Sequence, residues 1–478
     1  MNWGIWGAWK LRKAGLVIAL ALTYLIISIS KIPYIHTDAQ YYLQSALLWP
    51  DGNTTFAASW IGGRDFVVWI YFLAFRVFGP GIDSIVLALA VIRLATVAAL
   101  TVFCLCLIPE KIWAVAASLA LAAGVLGLPL MNIPATDNVG LMLGAVALAL
   151  WALAARASFS WPFVLSFSFF AGVAYTVRAE SLLLLLVILA LYLAKGAVRP
   201  RSAWLYGSVA LLAGIALPSA MWGTWVPTPK PAVYGSAIGV YRPIADFGSA
   251  NNGPASAQMG KMLGIDSAQS IPYWSAVSTS YRVLGPRESD RLITSIGLEA
   301  ISVSWPRMLR SGADDFMALL RTPGVVTMLS QSPDARWVEL RKELSELDEY
   351  RRASSEQFGN DAVYPTASLL DARLKAVDWI QHHLSVGQLE ISLPGWWLLV
   401  SLAVSVAAAI RSRDWLWLAV PLYGLAVVAL AALSQGQIYR YIAPALLLNA
   451  AWTFVALFAA VRSLAFAQLR TERSSPVG

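Results

Sequence analysis

Long apolar runs separated by short polar stretches make up most of this sequence. An apolar run of about 18 or more residues is long enough to cross a bilayer as a helix. A backbone surrounded by lipid has no water to bond with, so these runs are expected to be helical. The predicted spans are 14–31, 82–107, 112–128, 138–155, 160–177, 180–196, 203–222, 393–410, 415–433 and 441–462. The pattern predicts an all-α polytopic membrane protein with about ten transmembrane helices.

The polar intervals divide the chain into three parts. Residues 1–222 are predicted to form a membrane core with the first seven spans and a first outer loop at 32–81. Residues 223–391 are expected to form a long segment outside the membrane that is mostly helical. Residues 392–478 hold the last three predicted spans and a tail.

Two polar regions have their own internal patterns. In the long segment, 290–320 has apolar residues at helical spacing and 336–350 reads as a charged helix. By contrast, 226–257 is rich in Pro and Gly and is expected to be loop or short strand. In the first outer loop, 66–78 is apolar but too short to cross a bilayer, which predicts a helix lying in the membrane interface.

Composition and charge support the membrane prediction. The chain is 58% hydrophobic and only 13% charged, whereas soluble domains average about 25% charged residues. So few charges exclude a soluble globular enzyme of this size. The net charge is +8, but the basic residues occur singly or in small groups between apolar runs. No nucleic-acid partner is therefore expected, and the lipid bilayer is the expected environment.

The positions of the basic residues also predict the orientation of the chain. Loops that carry Lys or Arg alternate with loops that carry few, and basic loops face the cytoplasm. Both termini are therefore predicted to be cytoplasmic. The first outer loop, the long segment and the turns near Asp137, Arg178 and Arg440 are then all predicted to lie on the opposite, extracytoplasmic face.

Ionisable side chains at this face are the main candidates for chemistry, because charge is costly at membrane depth. The candidates are Asp38, Asp137, Arg178, Glu180, Arg440 and Tyr441, with Tyr41 and Tyr42 beside the first of them. Structural roles remain open. Thr37 and Gln40 fit a helix cap around Asp38, and Asp137 lies where a carboxylate favours a helix dipole.

Arg93 differs from the other candidates because it lies inside a predicted span. A buried guanidinium at this depth is expected to pair with a carboxylate. Asp83 on the same helix is about two to three turns away and too far for direct contact. The sequence therefore leaves the partner of Arg93 open.

Several short motifs occur in an order that resembles one enzyme family. They are Asp38 in the 34–42 segment, Phe78-Gly79-Pro80, Ile92-Arg93-Leu94, Pro134-Ala135-Thr136-Asp137, Arg178-Ala179-Glu180 and Tyr439-Arg440-Tyr441. In these motifs the chain resembles the polytopic, lipid-sugar-dependent glycosyltransferases of the GT-C type. The bacterial protein mannosyltransferases, aminoarabinose transferases and lipopolysaccharide-core transferases belong to this group. The resemblance covers 1–222 and 392–462 and barely touches 223–391, which it implies is related to the acceptor.

The resemblance implies a donor and a set of roles. The donor would be a polyprenyl-phosphate sugar and the acceptor a glycan, a lipid or a protein, at the extracytoplasmic face of a bacterial inner membrane. Asp38 would be the general base of an inverting transfer and Asp137 a second catalytic carboxylate. Substrate binding would fall to Arg178, Glu180, Arg440, Tyr441, Arg93, Tyr41 and Tyr42. The family allows for a divalent metal ion, but Ala39 follows Asp38 where many members have a second acid.

Four other classes of protein stay open. A transporter or flippase of lipid-linked glycans predicts paired halves and broken helices, neither of which is evident. A ligase that transfers a whole oligosaccharide has the same architecture. A non-catalytic envelope assembly factor predicts a silent Asp38→Asn substitution. A channel predicts a polar stripe along its helices, and none is evident.

Overall fold

The computed structural model describes residues 20–29, 31, 33, 39, 42–43, 45–46, 65–79, 82–156, 161–178, 201–225, 240–266, 268–321, 393–434 and 442–474. These residues are helical apart from turns and one isolated β-bridge between Ser249 and Ser270. The prediction of an all-α polytopic fold is confirmed for this part of the chain.

The helices follow one another along the chain, with short turns between many of them. They are α1 (Leu20–Ile29), α2 (Asp65–Phe78), α3 (Ile82–Leu107), α4 (Lys111–Gly127), α5 (Thr136–Arg156), α6 (Trp161–Val177), α7 (Arg201–Trp225), α8 (Tyr241–Phe247), α9 (Pro254–Leu263), α10 (Tyr273–Leu284), α11 (Pro286–Arg321), α12 (Trp397–Ser412), α13 (Ala419–Ser434) and α14 (Ala443–Ser474). Turns of 3-10 helix lie at Pro129–Asn132 and Trp415–Leu418.

Four segments in the described part of the chain are long and apolar enough to cross a membrane. They are Ser84–Leu107, Thr136–Leu153, Trp415–Ser434 and Ala443–Val461. Helices of this length measure about 27–36 Å, which matches the hydrocarbon core of a bilayer. The helices α1, α2, α4, α6, α7 and α12 are also apolar but shorter. The count of ten spans stays a prediction, because 180–196 lies outside the described residues.

Aromatic packing around Trp452 ties several helices of the membrane core together. The Trp452 ring on α14 lies 5.8 Å from Phe103 of α3, 5.5 Å from Trp151 of α5 and 5.6 Å from Trp417 between ring centroids. Its Nε1 donates to the Trp417 carbonyl oxygen at 2.9 Å. The indole therefore buries a large apolar surface and also satisfies its one donor.

Helices α6 and α7 approach each other closely at two glycines. A Cβ on Gly172 would lie 2.3 Å from the Leu211 carbonyl oxygen, and a Cβ on Gly214 would lie 2.1 Å from that of Phe169. Only the absence of a side chain lets the two backbones meet at this distance, as is common between membrane helices. This contact fixes the position of α6, whose last residue precedes Arg178.

Several helix ends meet at one end of the bundle, which we call the Asp137 face. Helix α5 begins there with Thr136. Gly144 of α5 packs against Leu448 of α14, and Ser401 of α12 donates to Asn449 Oδ1 of α14 at 2.9 Å. These contacts lie within the first turns of each helix, so α5, α12 and α14 all begin at the Asp137 face.

A small helical subdomain packs at the Asp137 face. Its own core is formed by buried residues of α8, α9, α10 and the first half of α11, among them Ile244, Met259, Val277 and Ile293. Helix α11 continues from this core into the membrane core, where Leu319 is buried. One helix thus belongs to both hydrophobic cores and joins the two parts of the molecule.

One sequence prediction needs correction. The expected loop or short strand in 226–257 contains a helix, α8, because Ile244 is buried and Arg242 pairs with Asp246 one turn later. Pro243 is tolerated there because it lies in the first turn, where no helical N–H bond is lost. The last predicted span, 441–462, agrees with the apolar segment Ala443–Val461, and α14 continues beyond it to Ser474.

Candidate functional site

Arg93 is fully buried in α3 and joins three parts of the chain. Its Nη1 donates to the Ser28 carbonyl oxygen at 2.9 Å and to Ser28 Oγ at 3.0 Å. Its Nη2 donates to Asn132 Oδ1 at 2.6 Å. The sequence predicted a carboxylate partner for Arg93. Among the described residues, the guanidinium instead donates to neutral oxygens of Ser28, at the end of α1, and of Asn132, before α5.

Polar atoms around Arg93 are left without hydrogen bonds. Arg93 Nε and Tyr24 Oη are buried and have no hydrogen-bond partner in the described part of the chain. Tyr24 and Tyr71 lie close enough to Arg93 to interact with its charge. Burial raises the pKa of the Tyr71 phenol, on the short helix α2, above its ordinary value, so Tyr71 is neutral and does not balance Arg93. Unsatisfied buried polar atoms are rare and call for a physical explanation.

Asp137 and Arg178 form a buried ion pair at the same face. Arg178 Nη1 donates to Asp137 Oδ1, and only 6% and 4% of the two side chains are exposed. Asp137 lies in the first turn of α5, and Arg178 directly follows α6. Asn132, the partner of Arg93, precedes Asp137 by one short turn. A single turn of chain therefore links the ion pair to the Arg93 guanidinium.

Neighbouring residues of α5 shape the space for Arg178. A Cβ on Gly140 would lie 2.6 Å from Arg178 Cδ, so the glycine makes room for the arginine side chain. Asn138 Nδ2 donates to the Ile133 carbonyl oxygen at 2.7 Å, and Asn138 Oδ1 accepts from the Val139 N–H at 2.7 Å. These bonds hold the turn between Asn132 and Asp137 in place.

Lys31 is a further basic residue at this position that the sequence reasoning missed. It lies two residues after the end of α1 and is only 2% exposed, and its backbone N–H donates at 3.3 Å to the same Ser28 carbonyl oxygen that accepts from Arg93. A lone lysine at the end of an apolar run, on the side predicted to carry few basic residues, was the available signal. We refer to Ser28, Lys31, Arg93, Asn132, Asp137 and Arg178 as the Arg93–Arg178 cluster.

Among the described residues, the Arg93–Arg178 cluster contains three basic side chains and one carboxylate. Lys31, Arg93 and Arg178 are basic, and Asp137 is the carboxylate. Buried charges are normally balanced by partners of opposite sign. The buried Arg93 guanidinium, whose Nε has no partner among the described residues, suits an anionic ligand such as a phosphate group.

The remaining predicted site residues are only partly covered by the structure. Asp38, Tyr41, Glu180, Arg440 and Tyr441 lie outside the described residues. Arg440 and Tyr441 precede α14 in the sequence, and α14 begins at the Asp137 face. Tyr42 is described and is buried in the membrane core, with 4% exposed. Its role as a platform for a sugar stays a prediction.

The described residues contain no group of three His, Cys, Asp or Glu side chains that could hold a metal ion. In this part of the chain Asp137 is the carboxylate of the Arg93–Arg178 cluster, and it is bound to Arg178. A divalent ion would need ligands beyond these residues. Its involvement stays a prediction of the family resemblance.

A second polar region lies between α8 and α11 of the subdomain. An open cavity of about 540 Å³ is lined by Asp246 and Phe247 of α8 and by Arg307, Arg310, Ser311 and Asp314 of α11. Beside it, the buried Arg242 donates from Nε to Asp246 Oδ2 at 3.0 Å and from Nη2 to Ser311 Oγ at 2.6 Å. Nothing in the sequence pattern singled out Arg242.

No protein-family model and no curated protein matches this sequence. A solved structure that is similar is the crystal structure of ArnT from Cupriavidus metallidurans bound to undecaprenyl phosphate. The two chains are 13% identical, the match covers 97% of this chain and 81% of that chain, and the TM-score is 0.35. Because both the identity and the TM-score are low, the roles below rest on the residues of this chain.

Proposed function

We propose that this membrane protein is a glycosyltransferase that moves a sugar from a polyprenyl-phosphate donor to an acceptor at the Asp137 face. The observation that supports this proposal is the buried Arg93 guanidinium, whose Nε has no partner among the described residues, beside the pair of Asp137 and Arg178 at the end of a membrane helix bundle. A polyprenyl-phosphate sugar places its tail in the bilayer and its phosphate at the interface. A cationic site at the end of membrane helices matches that geometry.

The cationic residues would hold the phosphate and stabilise it as it leaves. A guanidinium fits a phosphate through two parallel hydrogen bonds. Arg93 Nε is a buried donor without a partner, so it suits this contact without breaking another bond. Arg178 is held by Asp137, and Arg440 is the third arginine that the sequence suggests. Stabilisation of the leaving phosphate is the largest contribution expected from the protein.

Asp38 is our candidate for the general base. It would accept the proton of the acceptor hydroxyl while the hydroxyl oxygen bonds to the anomeric carbon and the bond from that carbon to the phosphate oxygen breaks. Direct attack of this kind inverts the anomeric carbon. Asp137, which is bound to Arg178, would position Arg178, while Glu180, Tyr441, Tyr41 and Tyr42 would contact the substrates.

The cellular location follows from the charge pattern of the loops. Basic residues predict that both termini face the cytoplasm and that the Asp137 face lies outside it. We therefore propose a bacterial inner membrane with the site on the periplasmic side. The subdomain of α8 to α11 packs at the same face, which supports a role for residues 223–391 in binding the acceptor.

The test compares envelope glycolipids and glycans by mass spectrometry in cells that carry the native protein, a deletion, Asp38→Asn, Arg93→Gln or Asp266→Asn. Asp266 is an exposed carboxylate of the subdomain and serves as the matched control. We expect the deletion, Asp38→Asn and Arg93→Gln to lose the same sugar-sized mass, and Asp266→Asn to keep it. Membrane levels of each variant are measured by immunoblot.

Other outcomes would point to other functions. If the deletion loses the mass increment but Asp38→Asn and Arg93→Gln keep it, the assignment of these residues is wrong and an assembly factor fits better. If the deletion leaves lipid-linked sugar accumulated on the cytoplasmic face, a flippase fits better. If the lost mass is a whole oligosaccharide, the protein is a ligase of the same architecture.

A further inference from the structure

The cavity between α8 and α11 has the chemistry of a sugar-binding site. Its volume of about 540 Å³ lies within the range of about 300–1,000 Å³ that small-molecule sites occupy. Phe247 supplies an aromatic surface on one wall, and aromatic rings pack well against the apolar face of a sugar. Asp246 and Asp314 supply carboxylates, which accept hydrogen bonds from hydroxyl groups.

Two arginines give the cavity donors for an anionic group, beside its two carboxylates. Arg307 and Arg310 lie less than one turn apart on α11 and both line the cavity. Asp314 lies four residues after Arg310, a spacing at which an ion pair often forms on a helix. Within the described residues, however, Arg242–Asp246, Arg242–Asp315 and Arg291–Glu288 are the ion pairs of the subdomain. Among these described residues, the guanidinium donors of Arg307 and Arg310 thus have no carboxylate partner and can bind a ligand.

The cavity is connected to the membrane bundle through Arg242. Asp246 and Ser311 line the cavity and also accept hydrogen bonds from Arg242. The same guanidinium pairs with Asp315 and donates to the Ala432 carbonyl oxygen in the last turn of α13. Helix α13 leads directly into the segment that contains Arg440. A ligand in the cavity would therefore touch two residues whose shared partner holds the end of α13.

We propose that the cavity between α8 and α11 binds a sugar that carries an anionic group, a phosphate or a carboxylate, through Arg307 and Arg310. This sugar would be part of the acceptor, and that role alone rests on the proposed glycosyltransferase function. Binding itself does not depend on catalysis. Arg242 would then be a positioning residue, because it contacts both the cavity residues and the end of α13.

The test measures binding to the full-length protein in lipid nanodiscs by isothermal titration calorimetry, in phosphate-free buffer. The probes are glucose 1-phosphate, glucuronate, glucose and inorganic phosphate. The variants are Arg307→Gln/Arg310→Gln and Arg291→Gln. Arg291 is an exposed arginine of the same helix, outside the cavity, and serves as the matched control. Both arginines of the double variant are exposed, so its fold is expected to be unchanged.

We expect glucose 1-phosphate or glucuronate to bind the native protein and Arg291→Gln equally, and Arg307→Gln/Arg310→Gln about tenfold or more weakly. Glucose and inorganic phosphate alone should each bind more weakly than the combined ligand. The anionic probe that binds more tightly identifies the anion. The proposal is overturned if neither sugar anion binds the native protein, if the double variant binds as well as the native protein, or if Arg291→Gln loses as much affinity.

The failure of this proposal is distinguishable from failure of the proposed function. Loss of probe binding is measured without any donor lipid, whereas the function is tested by the mass of envelope glycans. A double variant that loses probe binding and also loses sugar transfer supports the acceptor role. A double variant that loses probe binding but transfers normally overturns the acceptor role.

Discussion

The buried pair of Asp137 and Arg178 allows a quantitative test of the site. Both side chains are almost fully buried, with 4% and 6% exposed. Asp137→Asn removes the carboxylate from a guanidinium that stays buried. Breaking such a pair lowers the free energy of unfolding by about 3–5 kcal/mol. Both residues have further interactions, which places the expected loss at the lower end, about 3 kcal/mol. Arg178→Gln should lower the free energy of unfolding by a similar amount, because it leaves the Asp137 carboxylate buried without the Arg178 guanidinium.

The double variant Asp137→Asn/Arg178→Gln should cost clearly less than the sum of the single losses. The second substitution removes the charge that the first left uncompensated, so we expect a coupling energy of about 1–3 kcal/mol. The assay is unfolding in mixed detergent micelles with increasing SDS, followed by circular dichroism. The exposed pair of Glu288 and Arg291 is the control cycle, with an expected coupling below about 0.5 kcal/mol. Additive losses at Asp137 and Arg178 would refute the ion pair as the source of the effect.

Three further predictions concern other contacts. Gly214→Ala should lower the free energy of unfolding by about 1–3 kcal/mol, because the added Cβ would lie 2.1 Å from the Phe169 carbonyl oxygen. The control is Gly124→Ala, whose Cβ would meet only a Leu447 methyl group at 3.4 Å. It should be neutral or stabilising in the same assay. Arg93→Met should abolish sugar transfer but change the SDS midpoint of unfolding little, because removal of a buried charge offsets the loss of three hydrogen bonds. A large loss of stability with normal transfer would contradict this prediction. Arg242→Met should make α13 more sensitive to protease near Ser434. The double variant Arg242→Met/Asp315→Asn should be partly resistant again. Equal sensitivity of the native protein, the single variant and the double variant would contradict the anchoring role of Arg242.

Hydropathy predicted the membrane helices well because it reports a local property of the chain. The second predicted span, 82–107, coincides with α3 (Ile82–Leu107). The predicted span 415–433 matches Trp415–Ser434 within one residue. Helix α14 continues beyond the predicted span because Arg, Gln and Glu after Val461 end the apolar run but favour helix. Polarity marks where a span ends, whereas helix propensity decides where the helix ends.

The partners of the site residues could be predicted only where topology was sufficient. Asp137 and Arg178 were placed on one face by counting spans, and the structure pairs them. The partners of Arg93 are Ser28 and Asn132, which lie 65 and 39 residues away in the sequence. Helical spacing describes neighbours on one helix and contains no information on such contacts. Burial of Lys31 and Arg242 likewise depends on packing between distant segments.

The bond from Arg242 to the Ala432 carbonyl oxygen joins residues that are 190 positions apart, and this separation has a consequence for biosynthesis. Residues 240–321 leave the ribosome well before α13 is made, and domains generally fold in the order of their synthesis. When α13 enters the membrane, its last turn therefore meets an arginine that is already held by Asp246 and Ser311. The subdomain of α8 to α11, which is synthesised earlier, would thus help to position α13 in addition to the neighbouring membrane helices.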